Sequence, residues 1–162
     1  MDSAPATREQ PILAESIQQV VPRTFAMTAA LVVLVHTVVM LVHGAAHMRL
    51  NIELSAWANI YVLCIVGIGP IAGLLLLRSS RQRTGATILF TTMIGALLFG
   101  LWKHFIAHGP DHVMHLQEGA WRLPFQATAV LLAMSESAGA IVGSIMFYGL
   151  TPQTKARIRE RS

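Results

Sequence analysis

The sequence predicts an all-α integral membrane protein, an antiparallel bundle of four transmembrane helices with both termini in the cytoplasm. Three observations predict it. The 162 residues are 54% hydrophobic and only 12% charged, with a mean hydropathy of +0.56, whereas soluble domains carry about 25% charged residues. The apolar residues form four runs, each as long as the stretch that a helix needs to cross the hydrocarbon core. Lys and Arg are unequally distributed among the segments that flank these runs.

The four runs predict transmembrane helices at about residues 25–47, 57–77, 86–105 and 125–148. A helix satisfies its backbone hydrogen bonds internally, as lipid demands, and the sequence lacks the alternating polarity of a membrane β-barrel. Short connections make neighbouring helices antiparallel. We therefore expect one transmembrane domain at 25–150, a cytoplasmic N-terminal tail at 1–24 and a basic cytoplasmic tail at 151–162.

The positive charges predict the orientation. Nine of the twelve Lys and Arg residues fall in the two tails and the second connection, and the other three are Arg49, Lys103 and Arg122. Because cytoplasmic segments are enriched in Lys and Arg, we expect a multi-pass protein of the inner (cytoplasmic) membrane with both termini inside. All three tryptophans would then lie at the outer interface, where their amphipathic rings are favoured.

Six of the seven histidines fall at the predicted outer face. The motif HGAAH (43–47) places two imidazoles four residues apart on one side of a helix, and HFIAH (104–108) repeats this spacing at the end of the third predicted helix. The segment PDHVMH (110–115) adds two more histidines and an aspartate that could ligate an ion or orient an imidazole. We therefore predict a transition-metal site at the outer, periplasmic face, formed by His43, His47, His104, Asp111, His112 and His115.

The identity of the metal stays open among Fe, Zn, Cu and Mn. Imidazoles suit Zn, Cu and Fe, and a carboxylate in the same set shifts the expectation towards Fe, Mn or Zn. The single cysteine, Cys64, lies in an apolar run and is interpreted as a packed side chain. The competing interpretation of the histidines is that they are interfacial imidazoles that bond water and lipid headgroups.

Two polar residues are predicted near the middle of the bilayer. At about 1.5 Å per residue, Glu136 lies roughly 18 Å into the fourth helix, and His36 lies roughly 16 Å from the outer end of the first. A carboxylate at that depth costs at least about 2.5–3.5 kcal/mol unless it is paired or protonated. We therefore predict that His36, His108 and Glu136 serve as additional ligands or in proton relay. The partners that we expect for Glu136 are His36, His43, a bound metal, Ser135, Ser137 or a neighbouring backbone group.

Three functional interpretations follow, and whether the protein is an enzyme stays open among them. HGAAH, HFIAH and HVMH resemble the histidine boxes of membrane desaturases and hydroxylases, and the resemblance implies a di-iron centre and oxygenase-like redox chemistry. A second interpretation is a haem b electron-transfer subunit, with His43 and His104 as axial ligands from facing helices. A third is a non-enzymatic protein that handles metal or protons, senses pH or acts as an accessory subunit.

The expected partners follow from the same pattern. The lipid bilayer is the first of them, and other membrane subunits or a second copy of the chain are further candidates. The sequence carries no nucleic-acid-binding motif, so nucleic acid is not expected as a partner.

Overall fold

The protein is described by a computed structural model over residues 23–150, a range in which the regular structure is helical throughout and contains no strand. Four helices are long and apolar enough to cross a membrane, and we number them α1 (Arg23–Arg49), α2 (Ala56–Leu77), α3 (Gln82–Ile106) and α4 (Arg122–Gly149). Within these residues, the prediction of an all-helical structure with four apolar spans is confirmed. The predicted C-terminal tail, and the N-terminal tail up to residue 22, lie outside the described residues.

The outward surface of the bundle is apolar, as lipid requires. On α1, large hydrophobic side chains such as Leu31, Leu34 and Leu41 are more than half exposed. In water such a continuous apolar surface would be unfavourable, whereas in lipid it faces hydrocarbon. Together with the four spans, this surface indicates a multi-pass membrane protein.

Glycines set the spacing between helices and show that neighbours run antiparallel. An ideal Cβ placed on Gly73 of α2 would lie 2.8 Å from the backbone nitrogen of Leu89 in α3, and one placed on Gly85 would lie 2.5 Å from the nitrogen of Leu77. The end of α2 therefore packs against the beginning of α3. Small residues permit this backbone contact, which in lipid stabilises helix pairs through van der Waals packing.

The middle of α2 is irregular beside Pro70. A π-helical segment, Val62–Ile68, precedes Pro70. Proline has no N–H, so the carbonyl four residues earlier, at Val66, lacks its usual helical donor. His36 of α1 replaces that donor, because its Nε2 lies 3.0 Å from the Val66 oxygen and the ring is buried. This hydrogen bond links α1 to α2 inside the bundle.

Two apolar clusters occupy opposite ends of the bundle. The larger one lies towards the α2–α3 connection and consists of Ala29, Val33, Leu77, Ala86, Leu89, Met93, Ala140 and Met146. The smaller one, Ala46, Leu116 and Phe125, lies where α1 and α3 end and α4 begins. We call this second end the histidine end.

Candidate metal centre

Three histidines meet at the histidine end of the bundle. His43 and His47 come from α1 and His104 from α3, and one ring nitrogen from each lies within 4.8 Å of the others. Their ring centroids are 4.8–5.8 Å apart. In residues 23–150 they form the one group of histidine, cysteine or acidic side chains close enough to share an ion. A cluster that could bind a metal is therefore present, as predicted.

The end of α1 holds two of these rings in place. His43 and His47 are four residues apart and share one helical face. The helix ends just beyond them, where Asn51 adopts a left-handed conformation with φ of 51°, which asparagine tolerates better than most residues. The turn brings the N–H of Ile52 to the carbonyl of His47, at 3.0 Å. The last turn that carries His47 is therefore closed by a backbone hydrogen bond.

His104 lies in a π-helical segment, Trp102–Ile106, at the end of α3. Such segments insert an extra residue into a helical turn and are frequent at functional sites. The segment closes with a 2.7 Å hydrogen bond from the N–H of Ala107 to the carbonyl of Trp102. The following loop folds back onto the helix, and the N–H of Val113 donates to the carbonyl of His104 at 3.0 Å.

Hydrogen bonds at Nδ1 determine the tautomers of two rings. His104 Nδ1 lies 2.9 Å from the carbonyl of Asp111, which can only accept, so the nitrogen carries the proton. His43 Nδ1 lies 2.9 Å from the hydroxyl of Thr128. That hydroxyl donates its proton to the carbonyl of Pro124 at 2.6 Å, so it accepts from His43. In the neutral form, both rings therefore carry a lone pair on Nε2.

These two lone pairs lie close together. The Nε2 atoms of His43 and His104 are 3.2 Å apart, and without a cation between them they would repel. A shared proton would bridge only these two nitrogens, whereas a metal ion would also bind the ring of His47. Two nitrogens bound to one tetrahedral ion at about 2.0–2.1 Å are roughly 3.3–3.4 Å apart. The third ring, His47, has a buried Nδ1 that no described residue bonds. The donor set therefore fits a metal ion.

Phe125 forms an apolar platform against the three histidines. It is fully buried, and its ring centroid lies 4.5 Å from that of His43, 4.9 Å from that of His47 and 5.3 Å from that of His104. Sequence reasoning missed both Phe125 and Thr128. They lie about one helical turn apart on the buried face of α4, but no polar motif marks them, so the sequence carried no signal for their role.

Asp111 acts on the site through its backbone. Its carbonyl orients His104, while its buried carboxylate lies 3.7 Å from the ammonium group of Lys103. Orientation of a metal-binding imidazole by a carbonyl or carboxylate at its other nitrogen is the usual arrangement in metalloproteins. The structure thus places Asp111 beside the three histidines. A direct contact between its carboxylate and an ion stays a prediction.

The remaining loop histidines form a separate stack. The ring centroids of His112 and His115 are 4.5 Å apart, and His108 lies 5.6 Å from His115 and 6.0 Å from His112. His108 and His115 are exposed and His112 is half-buried. The structure does not bring this stack into the buried group. Its ligation of the same ion, predicted for His112 and His115, stays a prediction.

A cavity of about 270 Å³ adjoins the three histidines and extends to Glu136. Glu136 is 3% exposed, and within residues 23–150 it has no hydrogen bond or ion pair. The neighbouring Ser135 and Ser137 hydroxyls donate to carbonyls of their own helix. Among the described residues, no protein group expected as a partner of Glu136 is bonded to it, and a bound metal as its partner stays a prediction. His36 is engaged with α2, and its relay role, like that of Glu136, stays a prediction.

The arrangement does not support haem. Two axial nitrogens on opposite sides of one iron are separated by about twice a metal–nitrogen bond of roughly 2 Å. The Nε2 atoms of His43 and His104 are only 3.2 Å apart. No porphyrin plane fits between the two rings in this arrangement.

The fold and the site together define a class: a four-helix protein, able to span a membrane, with three histidines that could hold a metal ion. Comparison of the chain with known protein families, with curated proteins and with solved structures finds no match.

Proposed function

We propose that this protein is a metal-dependent membrane enzyme that binds one divalent transition-metal ion through His43, His47 and His104. The observation that carries the proposal is the 3.2 Å separation between the Nε2 atoms of His43 and His104, whose Nδ1 hydrogen bonds assign the ring protons to the other nitrogen. Structural zinc sites use four protein ligands, whereas catalytic sites use three and keep one position open. The three histidines border the apolar cavity, and that cavity supplies the space for an open position.

The donor set narrows the metal and its chemistry. Three imidazoles without a carboxylate favour Zn, Cu or Fe over Mn. When bound, such an ion acts as a Lewis acid on a substrate oxygen or activates water, and Fe or Cu would also support redox chemistry. Thr128 orients the ring of His43, the carbonyl of Asp111 orients that of His104, and Phe125 packs an apolar ring against all three histidines.

The first test measures bound metal in protein purified without an affinity tag of histidines or a chelator. We expect about one equivalent of metal in the parent and a large loss in the single variants His43→Ala, His47→Ala and His104→Ala. A visible spectrum recorded on the same samples checks for a haem Soret band, which we expect to be absent.

The chain offers matched controls for this experiment. His108→Ala, His112→Ala and His115→Ala remove imidazoles from the separate loop stack, and we expect them to keep the metal. Equal metal content in all six variants would refute the buried site. Loss of bound metal in the loop variants alone would place the metal site in the loop instead.

We further propose the inner-membrane orientation with both termini in the cytoplasm. It is supported by the excess of Lys and Arg in the tails and the α2–α3 connection, nine residues against three. The histidine end then faces the periplasm. A fluorescent reporter fused after Ser162 should be active, and a periplasm-specific phosphatase fused there should be inactive. The opposite pair of results would reverse the orientation.

Metal transfer is a second candidate function, favoured by the loop stack of His108, His112 and His115, two of which are exposed. In that case the stack would receive an ion before it reaches the buried ligands. His115→Ala would then slow the uptake of Zn²⁺ by metal-free protein and leave the final affinity unchanged. An unchanged uptake rate would exclude this role for the stack.

A further inference from the structure

We infer that the cavity beside the three histidines binds one small amphiphilic molecule, with a body about the size of a single substituted ring and a hydroxyl or amine group that donates a hydrogen bond to Glu136. The inference rests on the proposed function in one respect, because it names the substrate class on which the metal would act. Binding of the molecule itself depends on the cavity and on Glu136.

The size of the cavity limits the occupant. Its volume is about 270 Å³, whereas an apolar cavity of about 150 Å³ in another protein holds one benzene molecule. Its walls away from the histidines are largely apolar and include Val66, Ala96, Phe99, Leu132 and Ala133. A ring with a short alkyl chain fits these dimensions and this lining.

Glu136 determines the polar group of the occupant. Glu136 lines the cavity, and the residue is only 3% exposed and has no hydrogen-bond partner in residues 23–150. A buried polar group without a partner is strongly unfavourable. Whether neutral or ionised, a carboxyl has oxygen that accepts a hydrogen bond. A ligand with an O–H or N–H group would satisfy it.

Gly100 keeps the space open between Glu136 and the histidines. An ideal Cβ at Gly100 would lie 3.8 Å from Oε2 of Glu136 and 4.0 Å from Cδ2 of His104. Both groups therefore border the same small volume beside α3. A molecule that bonds Glu136 would lie next to His104 and so near the proposed metal.

The cavity also has a route to the surface. Gly44, Met48 and Asn59 line it and are themselves exposed. α1 packs mainly on α4 and contacts α2 chiefly through Gly69–Leu77 and the His36–Val66 hydrogen bond, and it packs little on Ala56–Tyr61, which leaves a gap beside the first turns of α2. A lipophilic molecule could enter through this gap.

The test uses two probes that differ by one hydroxyl, 4-ethylphenol and ethylbenzene. Binding to the purified protein in micelles is measured by equilibrium dialysis, with partitioning into protein-free micelles subtracted. We expect saturable binding of about one equivalent of 4-ethylphenol. In Glu136→Met the ratio of the two affinities should shift against the phenol by about tenfold or more, since one hydrogen bond to a buried acceptor is lost.

Two further variants complete the design. Gly100→Leu fills the space between Glu136 and His104 and should abolish saturable binding of both probes, whereas Ser137→Ala, whose hydroxyl bonds its own helix, should leave both unchanged. An absence of saturable binding in the parent, or an affinity ratio unaffected by Glu136→Met, would overturn the inference. If Glu136→Met does not fold, saturable binding of the probes by the parent and its loss in Gly100→Leu still test the inference.

Metal content is measured on the same samples to separate the two proposals. His104→Ala should lose metal and still bind 4-ethylphenol. Phenol binding in a parent protein that holds no metal would refute the proposed function and leave the cavity assignment standing. Bound metal without phenol binding would support the proposed function and overturn the cavity assignment.

Discussion

Replacing Thr128 by valine tests whether a hydrogen bond prepares His43 for a metal. Valine has nearly the same shape but no oxygen, so His43 Nδ1 loses the acceptor that lies at 2.9 Å. The ring would then leave a buried N–H unsatisfied or move its proton to Nε2, where it would compete with the ion. A lost buried hydrogen bond costs about 1–3 kcal/mol. Loss of such an orienting partner typically lowers metal affinity about 10–100-fold, or roughly 1.4–2.7 kcal/mol.

The assay is a competition between the protein and a chelator of known affinity for Zn²⁺. We expect Thr128→Val to bind Zn²⁺ about 10–100-fold more weakly than the parent. Thr128→Ser, which keeps the hydroxyl, should stay close to the parent, and thermal unfolding of the metal-free variants checks that the bundle is intact. An affinity of Thr128→Val within about twofold of the parent would refute the tautomer argument.

Two further predictions concern the stability of the bundle, measured by thermal or detergent-induced unfolding in micelles. His36→Leu should lower stability by about 1–3 kcal/mol because the Val66 carbonyl loses its donor. Adding Pro70→Ala, which restores an N–H four residues after Val66, should recover part of that loss. If the stability changes of the two substitutions were simply additive, the Val66 carbonyl would not couple His36 to Pro70. Gly73→Ala should destabilise by about 1–3 kcal/mol because a Cβ there meets the backbone of α3. Gly149→Ala, where nothing lies within 4 Å of an added Cβ, is its control.

Much of the fold was predictable because lipid imposes strict rules on a chain. Long apolar runs have to be helices, and the helix ends at Leu77 and Ile106 lie within one residue of the predicted ones. The π-helical segments were not predicted, since no local pattern specifies them. The one beside Pro70 depends on a donor, His36, that lies thirty residues away in the chain.

The metal site was predictable only in outline. The spacing of His43 and His47 places both on one helical face from sequence alone. The choice of His104 as the third member, rather than His112 or His115, depends on how α3 unwinds and how the loop folds back over it. These features depend on the three-dimensional structure, and the sequence alone did not distinguish His104 from the other histidines nearby.

The sequence by itself determined the four helices, their apolar exterior and the clustering of histidines towards one end, because each follows from local composition and helical periodicity. Only the tertiary structure decided which three rings converge, and which atoms, on Thr128 and Asp111, orient them. It also decided that Glu136 faces a cavity without a partner. Contacts of this kind join residues up to 85 positions apart in the chain. They are determined by helix packing, which local sequence does not encode.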